Sequence, residues 1–182
     1  MTFEEFLNWP GDGRAKHYEL ADGRVLALPP KSPISGLLQV RLGSMIRDRL
    51  DASGSAARIV AKALVQPCLP SKHNARVSDL CVTSATIRLG QIVVDQPLLL
   101  VEVLSSEAAE AWSRASIFTT IPSLREIAIV QSQRVEIQVL RCSDDRIWPH
   151  RPETVTAGGT MRLESIGLAC PIGEIYSDTP LG

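Results

Sequence analysis

Pro97-Leu-Leu-Leu-Val-Glu-Val-Leu104 is the stretch on which the fold turns. All but one of its residues are apolar. A nearly continuous run of this length, rich in Leu and Val, marks a central strand covered on both faces. It is too short to cross a bilayer. It also carries Glu102 in its interior, where an ionised carboxylate costs several kcal/mol unless it is paired, protonated or bound to a cation. Stability gives no reason to place an acid there. Two readings remain open: a buried ion pair with an arginine, or a ligand to a metal ion.

The segments before this strand extend the same pattern. Ala57 to Val65 and Val77 to Thr83 are strands separated by a loop rich in Pro, Ser and Asn. Asp79 breaks the second as Glu102 breaks the third. Capping a loop is the alternative for Asp79. If the two strands are neighbours, both carboxylates converge at one end of the sheet. Two hard oxygen donors without His or Cys nearby suit Mg²⁺ or Mn²⁺ rather than zinc. Lys62 interrupts apolar neighbours in the strand from Ala57; an edge-strand lysine reaching for solvent is the favoured reading, and a lysine reaching the acids is the alternative.

Further out, Thr2-Phe-Glu-Glu5 has the form of a capping box for a short helix ending near Trp9-Pro10-Gly11. His17 to Leu20 and Arg24 to Leu28 flank Asp22-Gly23, a pair that supplies the positive φ values of a tight hairpin turn. Ile34, Leu37, Leu38, Leu42, Met45, Ile46 and Leu50 recur at helical spacing. After Leu104, Ser105 or Ser106 caps a second helix, with Ala108, Ala111, Trp112, Ala115 and Phe118 as its stripe. Arg125 to Val130 and Val135 to Leu140 form another hairpin. Residues 144–182 are turn-rich, with short strands and a helical turn near Ile172 to Tyr176. This order predicts one α/β domain over residues 1–182, a mixed sheet flanked by helices.

Composition narrows the functional classes. The chain has 182 residues, 21% of them charged, and a net charge of -1. No global basic field exists, so nucleic acid would have to meet a local patch. Lys31, Arg41, Arg47 and Arg49 are candidates for phosphate contact, but Asp48 and Asp51 interleave with them as on an ordinary solvated helix face. Cys68, Cys81, Cys142 and Cys170 lack metal-site spacing and read as buried thiols. The start of the chain has no signal-like apolar stretch. The expectation is a cytoplasmic protein without membrane contact. Ser105-Ser106 lacks the context of a nucleophile elbow, and no glycine-rich phosphate loop is present.

Five segments then occur in a telling order: Tyr18-Glu-Leu-Ala-Asp-Gly23, Val77-Ser-Asp79, Val101-Glu-Val-Leu-Ser105, Ile121-Pro-Ser-Leu-Arg-Glu126, and Leu163 to Leu168 followed by Ile172 to Tyr176. Together they resemble the Uma-type family of restriction endonucleases, within the PD-(D/E)XK nuclease superfamily. The resemblance spans essentially the whole chain. It implies a restriction-endonuclease-like α/β fold and phosphodiester hydrolysis in DNA. It places Asp79 and Glu102 as metal ligands and Glu19 as an acid completing the site.

The same resemblance puts Arg114 where many members carry a lysine. An arginine there can offset charge on a phosphoryl group but cannot serve as a base. Glu110, four residues earlier, offers Arg114 a surface ion pair instead. Phe118, Ser35 and Ser78 stand where tyrosine, histidine and proline are frequent. Two functions follow as expectations: a Mg²⁺-dependent endonuclease, or a binding domain on a nuclease fold that has lost turnover. Cutting two strands would favour a homodimer.

Overall fold

The computed structural model describes residues 1–13, 17–68, 71–104 and 115–182. Thr2 caps helix α1 (Phe3–Leu7) through a complete capping box with Glu5. Strands β1 (Tyr18–Ala21) and β2 (Arg24–Ala27) form a hairpin. Asp22 and Gly23 turn it with φ of 49° and 79°, as an Asp-Gly turn of this kind requires. Helix α2 (Pro33–Ala52) starts at Ser32, whose side chain accepts the Ser35 N–H. Pro33 at its first position needs no N–H partner.

Eight further strands follow. They are β3 (Arg58–Val65), β4 (Arg76–Thr83), β5 (Pro97–Leu104), β6 (Glu126–Gln131), β7 (Glu136–Arg141), β8 (Glu153–Thr156), β9 (Thr160–Leu163) and β10 (Leu168–Pro171). The first six of these make one sheet in sequential order. Only β5 and β6 run parallel; every other pair is antiparallel. A parallel step needs a long crossover, and residues 105–125 supply it. Strands β9 and β10 form a separate hairpin that leads into the C-terminal helix (Ile172–Tyr176).

Two apolar cores cover the sheet. On one face, Leu38, Leu42, Ile46 and Leu50 of α2 meet Leu80, Val82, Leu99, Val101 and Val103, with the C-terminal hairpin and helix packed alongside. On the other, Cys81, Leu100, Leu104, Ile127 and Ile129 lie against Ala115, Phe118, Ile121 and Leu124. Burial of each Leu or Ile contributes roughly 1.5–3 kcal/mol, so β5, covered on both sides, is the axis of the domain. The α2 stripe is narrower than its periodicity suggests, because Leu37 remains exposed.

Cys81, Cys142 and Cys170 are buried, whereas Cys68 is exposed, against the expectation of burial for all four; it lies in the loop after β3 with its N–H held by Thr120 Oγ1. Among the described residues, no helix is long and apolar enough to cross a membrane. The predicted helix start at Ser105 or Ser106 lies outside the described residues; residues 115–118 are helical.

Candidate active site

Strands β4 and β5 are neighbours, and their pairing is interrupted where the acids stand. The ladder runs from Thr83 opposite Pro97 to Leu80 opposite Val101 and ends there. Both strands continue, β4 back to Arg76 and β5 on to Leu104. Beyond that point side chains take over the backbone groups. Val103 N–H donates to Asp79 Oδ2 at 2.8 Å. Ser78 Oγ donates to the carbonyl oxygens of Leu80 and Val101, at 2.9 and 3.2 Å. Lys31 Nζ donates to the Val103 carbonyl at 2.7 Å. The two strands therefore open as a fork whose inner groups are satisfied by side chains rather than by each other.

Asp79 fills the mouth of this fork and is only 3% exposed. It alternates with Cys81, which belongs to the second core. Glu102 lies between Leu100 and Leu104 of the same core and is 2% exposed. Continuing the register of Leu80 with Val101 sets Asp79 level with Glu102. The sheet thus presents both predicted carboxylates on one face, at the end where the ladder opens.

Two lysines converge on Asp79. Lys31 Nζ lies 3.1 Å from Oδ2, and Lys62 Nζ lies 2.5 Å from Oδ1. Lys31 comes from the segment before α2. Lys62 comes from β3, the outermost strand beside β4. Of the two sequence readings of Lys62, the structure overturns the favoured one, a lysine reaching for solvent, and shows the other, a lysine reaching Asp79. Half-exposed at its tip, it is aimed at a buried carboxylate. Two ammonium groups and a backbone N–H thus satisfy the buried carboxylate through charge-assisted hydrogen bonds.

Glu19 sits one step away. The β1–β2 hairpin is stitched to the start of β4 through Leu20 and Ala75, which exchange both backbone hydrogen bonds. Glu19, 2% exposed, accepts Arg76 Nη1 at 3.0 Å and the Val77 N–H at 3.4 Å. It therefore flanks the base of the strand that carries Asp79, with Arg76 as its counter-ion. Arg114, the remaining residue singled out from the sequence, lies outside the described residues.

The donors present fit a hard divalent cation. They are carboxylates on adjacent strands. Among the described residues no group of three or more His, Cys, Asp and Glu converges, as a dedicated cage would need. Mg²⁺ commonly takes only one or two protein carboxylates and leaves its remaining positions to water and phosphate. That Asp79 Oδ1 already faces an ammonium shows the position to be built for positive charge.

The sequence marked Lys31 only as a candidate for phosphate contact, not as a partner of Asp79. Its partner Asp79 lies 48 positions away in the chain, and nothing around Pro29-Pro30-Lys31 announces the contact. For Lys62 a signal existed, a charge interrupting an apolar strand, as for Glu102 and Asp79.

The architecture is that of a nuclease-like α/β fold. A solved structure described as that of a putative nuclease belonging to DUF820, from Anabaena variabilis ATCC 29413, superposes with a TM-score of 0.76. The match covers 97% of this chain and 98% of that one at 16% sequence identity, and it establishes a shared fold. An uncharacterized protein of Synechocystis sp. is 28% identical over 179 residues, which is 97% of this chain and 91% of that protein. The profile of the Uma2 family, described as putative restriction endonuclease, matches residues 3–170. The chain belongs to that family.

Proposed function

We propose that this protein is a metal-dependent endonuclease that hydrolyses phosphodiester bonds in DNA, with Asp79 and Glu102 as the protein ligands of a Mg²⁺ or Mn²⁺ ion. The observation that carries the reading is the fork itself. Two buried carboxylates sit on one sheet face at the point where β4 and β5 part. Carboxylates at that point supply the hard oxygen donors that metal-assisted phosphodiester hydrolysis needs.

A bound divalent cation would polarise the scissile phosphate and lower the pKa of a coordinated water. The chain's own residues do the rest. Asp79 is held in one orientation by Val103 N–H and the two lysines, so its geometry is set before substrate arrives. Lys31 ties the start of α2 to β5 and fixes the width of the fork. Arg76 neutralises Glu19 and keeps that second acid from repelling an incoming phosphate. Family membership supports nuclease chemistry; the choice of DNA rests on the resemblance to restriction endonucleases.

The test is cleavage of supercoiled plasmid and of short duplexes in Mg²⁺ and in Mn²⁺. Wild type should cut, EDTA should stop it, and Asp79→Asn and Glu102→Gln should each lose at least a hundredfold, about 2.7 kcal/mol of transition-state stabilisation. Cutting that survives both substitutions would refute the site.

A further inference from the structure

The positive charge of an active site built on Asp79 should have an identifiable source, and the described residues offer two. They are not equivalent. Lys31 Nζ spends one N–H on Asp79 Oδ2 and a second on the Val103 carbonyl. It is a clasp between the start of α2 and β5. Lys62 Nζ makes one hydrogen bond among the described residues, to Asp79 Oδ1. An ammonium has three donors, and the Lys62 side chain is 37% exposed. Among the described residues its other two N–H groups have no acceptor and are available to a ligand.

The backbone at Lys62 shows that this placement is imposed. Its φ is +51°, inside a strand. A side-chain-bearing residue adopts the left-handed region at a cost of about 1 kcal/mol or more. Ala61 pairs with Leu80 and Ala63 with Ser78, while Lys62 and Asp79, which face each other between them, form no ladder pair. The alternation of β3 slips at the same point. Val60 packs on the second core, and so do Ala63 and Val65 rather than Lys62 and Leu64. Lys62, two residues on from Val60 and opposite Asp79, lies on the face of that carboxylate, and the backbone turns over at this one residue so that Ala63 and Val65 regain the second core.

We infer that Lys62 is the catalytic lysine of this protein, supplied by β3 from the strand beside the metal-ligand acid. On this reading, which rests on the endonuclease proposal, Lys62 holds Asp79 before substrate binds. With a phosphodiester in place, its remaining N–H groups donate to a non-bridging phosphoryl oxygen and offset the charge that grows there. The lysine stays protonated throughout, and no bond to it forms or breaks. Its position makes a prediction about the cation as well. A divalent ion held by Asp79 would share its carboxylate with Lys62, so removing the ammonium would remove a repulsive charge at close range.

The experiment compares wild type with Lys62→Met, Lys62→Arg and Lys62→Asn, and with Lys72→Met as a matched loss of an exposed charge. Asparagine tolerates positive φ, so Lys62→Asn suits the backbone conformation while removing the ammonium. If wild type and Lys72→Met cut DNA, Lys62→Met and Lys62→Asn should lose at least about a hundredfold in kcat. KM should change by less than about fivefold, and Lys62→Arg should recover part of the loss. Wild-type-like kcat in the Met and Asn variants, or loss in KM alone, would overturn the assignment and leave the endonuclease reading standing.

A wild type that cuts nothing refutes the endonuclease reading instead, and calorimetry with Mn²⁺ alone still tests Lys62. The Met and Asn variants, folded by circular dichroism, should bind Mn²⁺ at least about threefold more tightly than wild type. Equal or weaker binding in both counts against Lys62 at the cation-facing oxygen.

Discussion

Arg141 and Glu126 stand directly opposite each other in the β6–β7 pair, and Arg141 Nε donates to Glu126 Oε1 at 2.8 Å. Glu126 is fully buried. Its two oxygens also accept the backbone N–H groups of Glu164 and Ser165, at 2.9 and 2.7 Å. One carboxylate thus fastens the turn after β9 to the start of β6, an interior strand of the main sheet. Glu126→Ala would leave two N–H groups without their acceptor and remove one partner of Arg141, which keeps Glu153, Glu164 and the Arg162 carbonyl. We expect a loss of roughly 3 kcal/mol, read from urea unfolding. A loss below about 1 kcal/mol would mean that water replaces the carboxylate at no cost.

Gln131 closes β6 and is 1% exposed, and among the described residues its Nε2 finds no hydrogen-bond partner. An unsatisfied buried donor costs roughly 1–3 kcal/mol. Gln131→Met keeps the length of the side chain and removes the polar atoms. We expect its midpoint of thermal unfolding to rise. An unchanged or lower midpoint would show that the amide is satisfied in solution.

The thiols should divide sharply. Burial pushes the Cys81 thiol up to about 12 and the Cys170 thiol up to about 11. The thiolate is the reactive form, and Cys68 alone is exposed. Iodoacetamide at pH 8 should therefore label Cys68 in the folded protein and all four cysteines after denaturation. Labelling of Cys81 in the native state, followed by peptide mapping, would contradict the packing of β4.

Glu136 gives a pH signature. Its hydrogen bonds from Arg134 hold its carboxyl below the usual range. A folded pKa below the unfolded one contributes stability that is present above the unfolded value and lost as pH falls through the folded value. Arg134 is half exposed, so solvent limits the effect to less than about 1 kcal/mol. Glu136→Gln should be less stable than wild type at pH 7 and should match it near pH 3. A gap that persists in acid would assign the effect to packing.

The sequence made the strands and their order legible because burial on both faces leaves an unmistakable apolar run, as at Leu98 to Val101. It made Asp79 and Glu102 legible for the same reason, since a charge in such a run is conspicuous. The Asp22-Gly23 turn and the Thr2 cap were legible from local chemistry. What stayed hidden depends on distant pairing. Arg76 as the counter-ion of Glu19 lies 57 positions away from it, and no pattern of spacing encodes that meeting. The turnover of the chain at Lys62 was equally invisible, because a positive φ at lysine has no sequence signature of the kind glycine provides.

The hydrogen bond from Val103 N–H to Asp79 has a practical consequence for spectroscopy. Most amides in β5 answer to a neighbouring strand and are silent about chemistry. This one answers to a carboxylate oxygen, so its proton resonance should move with whatever that oxygen binds. A single backbone signal from the centre of the sheet would then register cation entry, substrate arrival and the loss of either lysine, each as a shift of its own, without a label placed in the site.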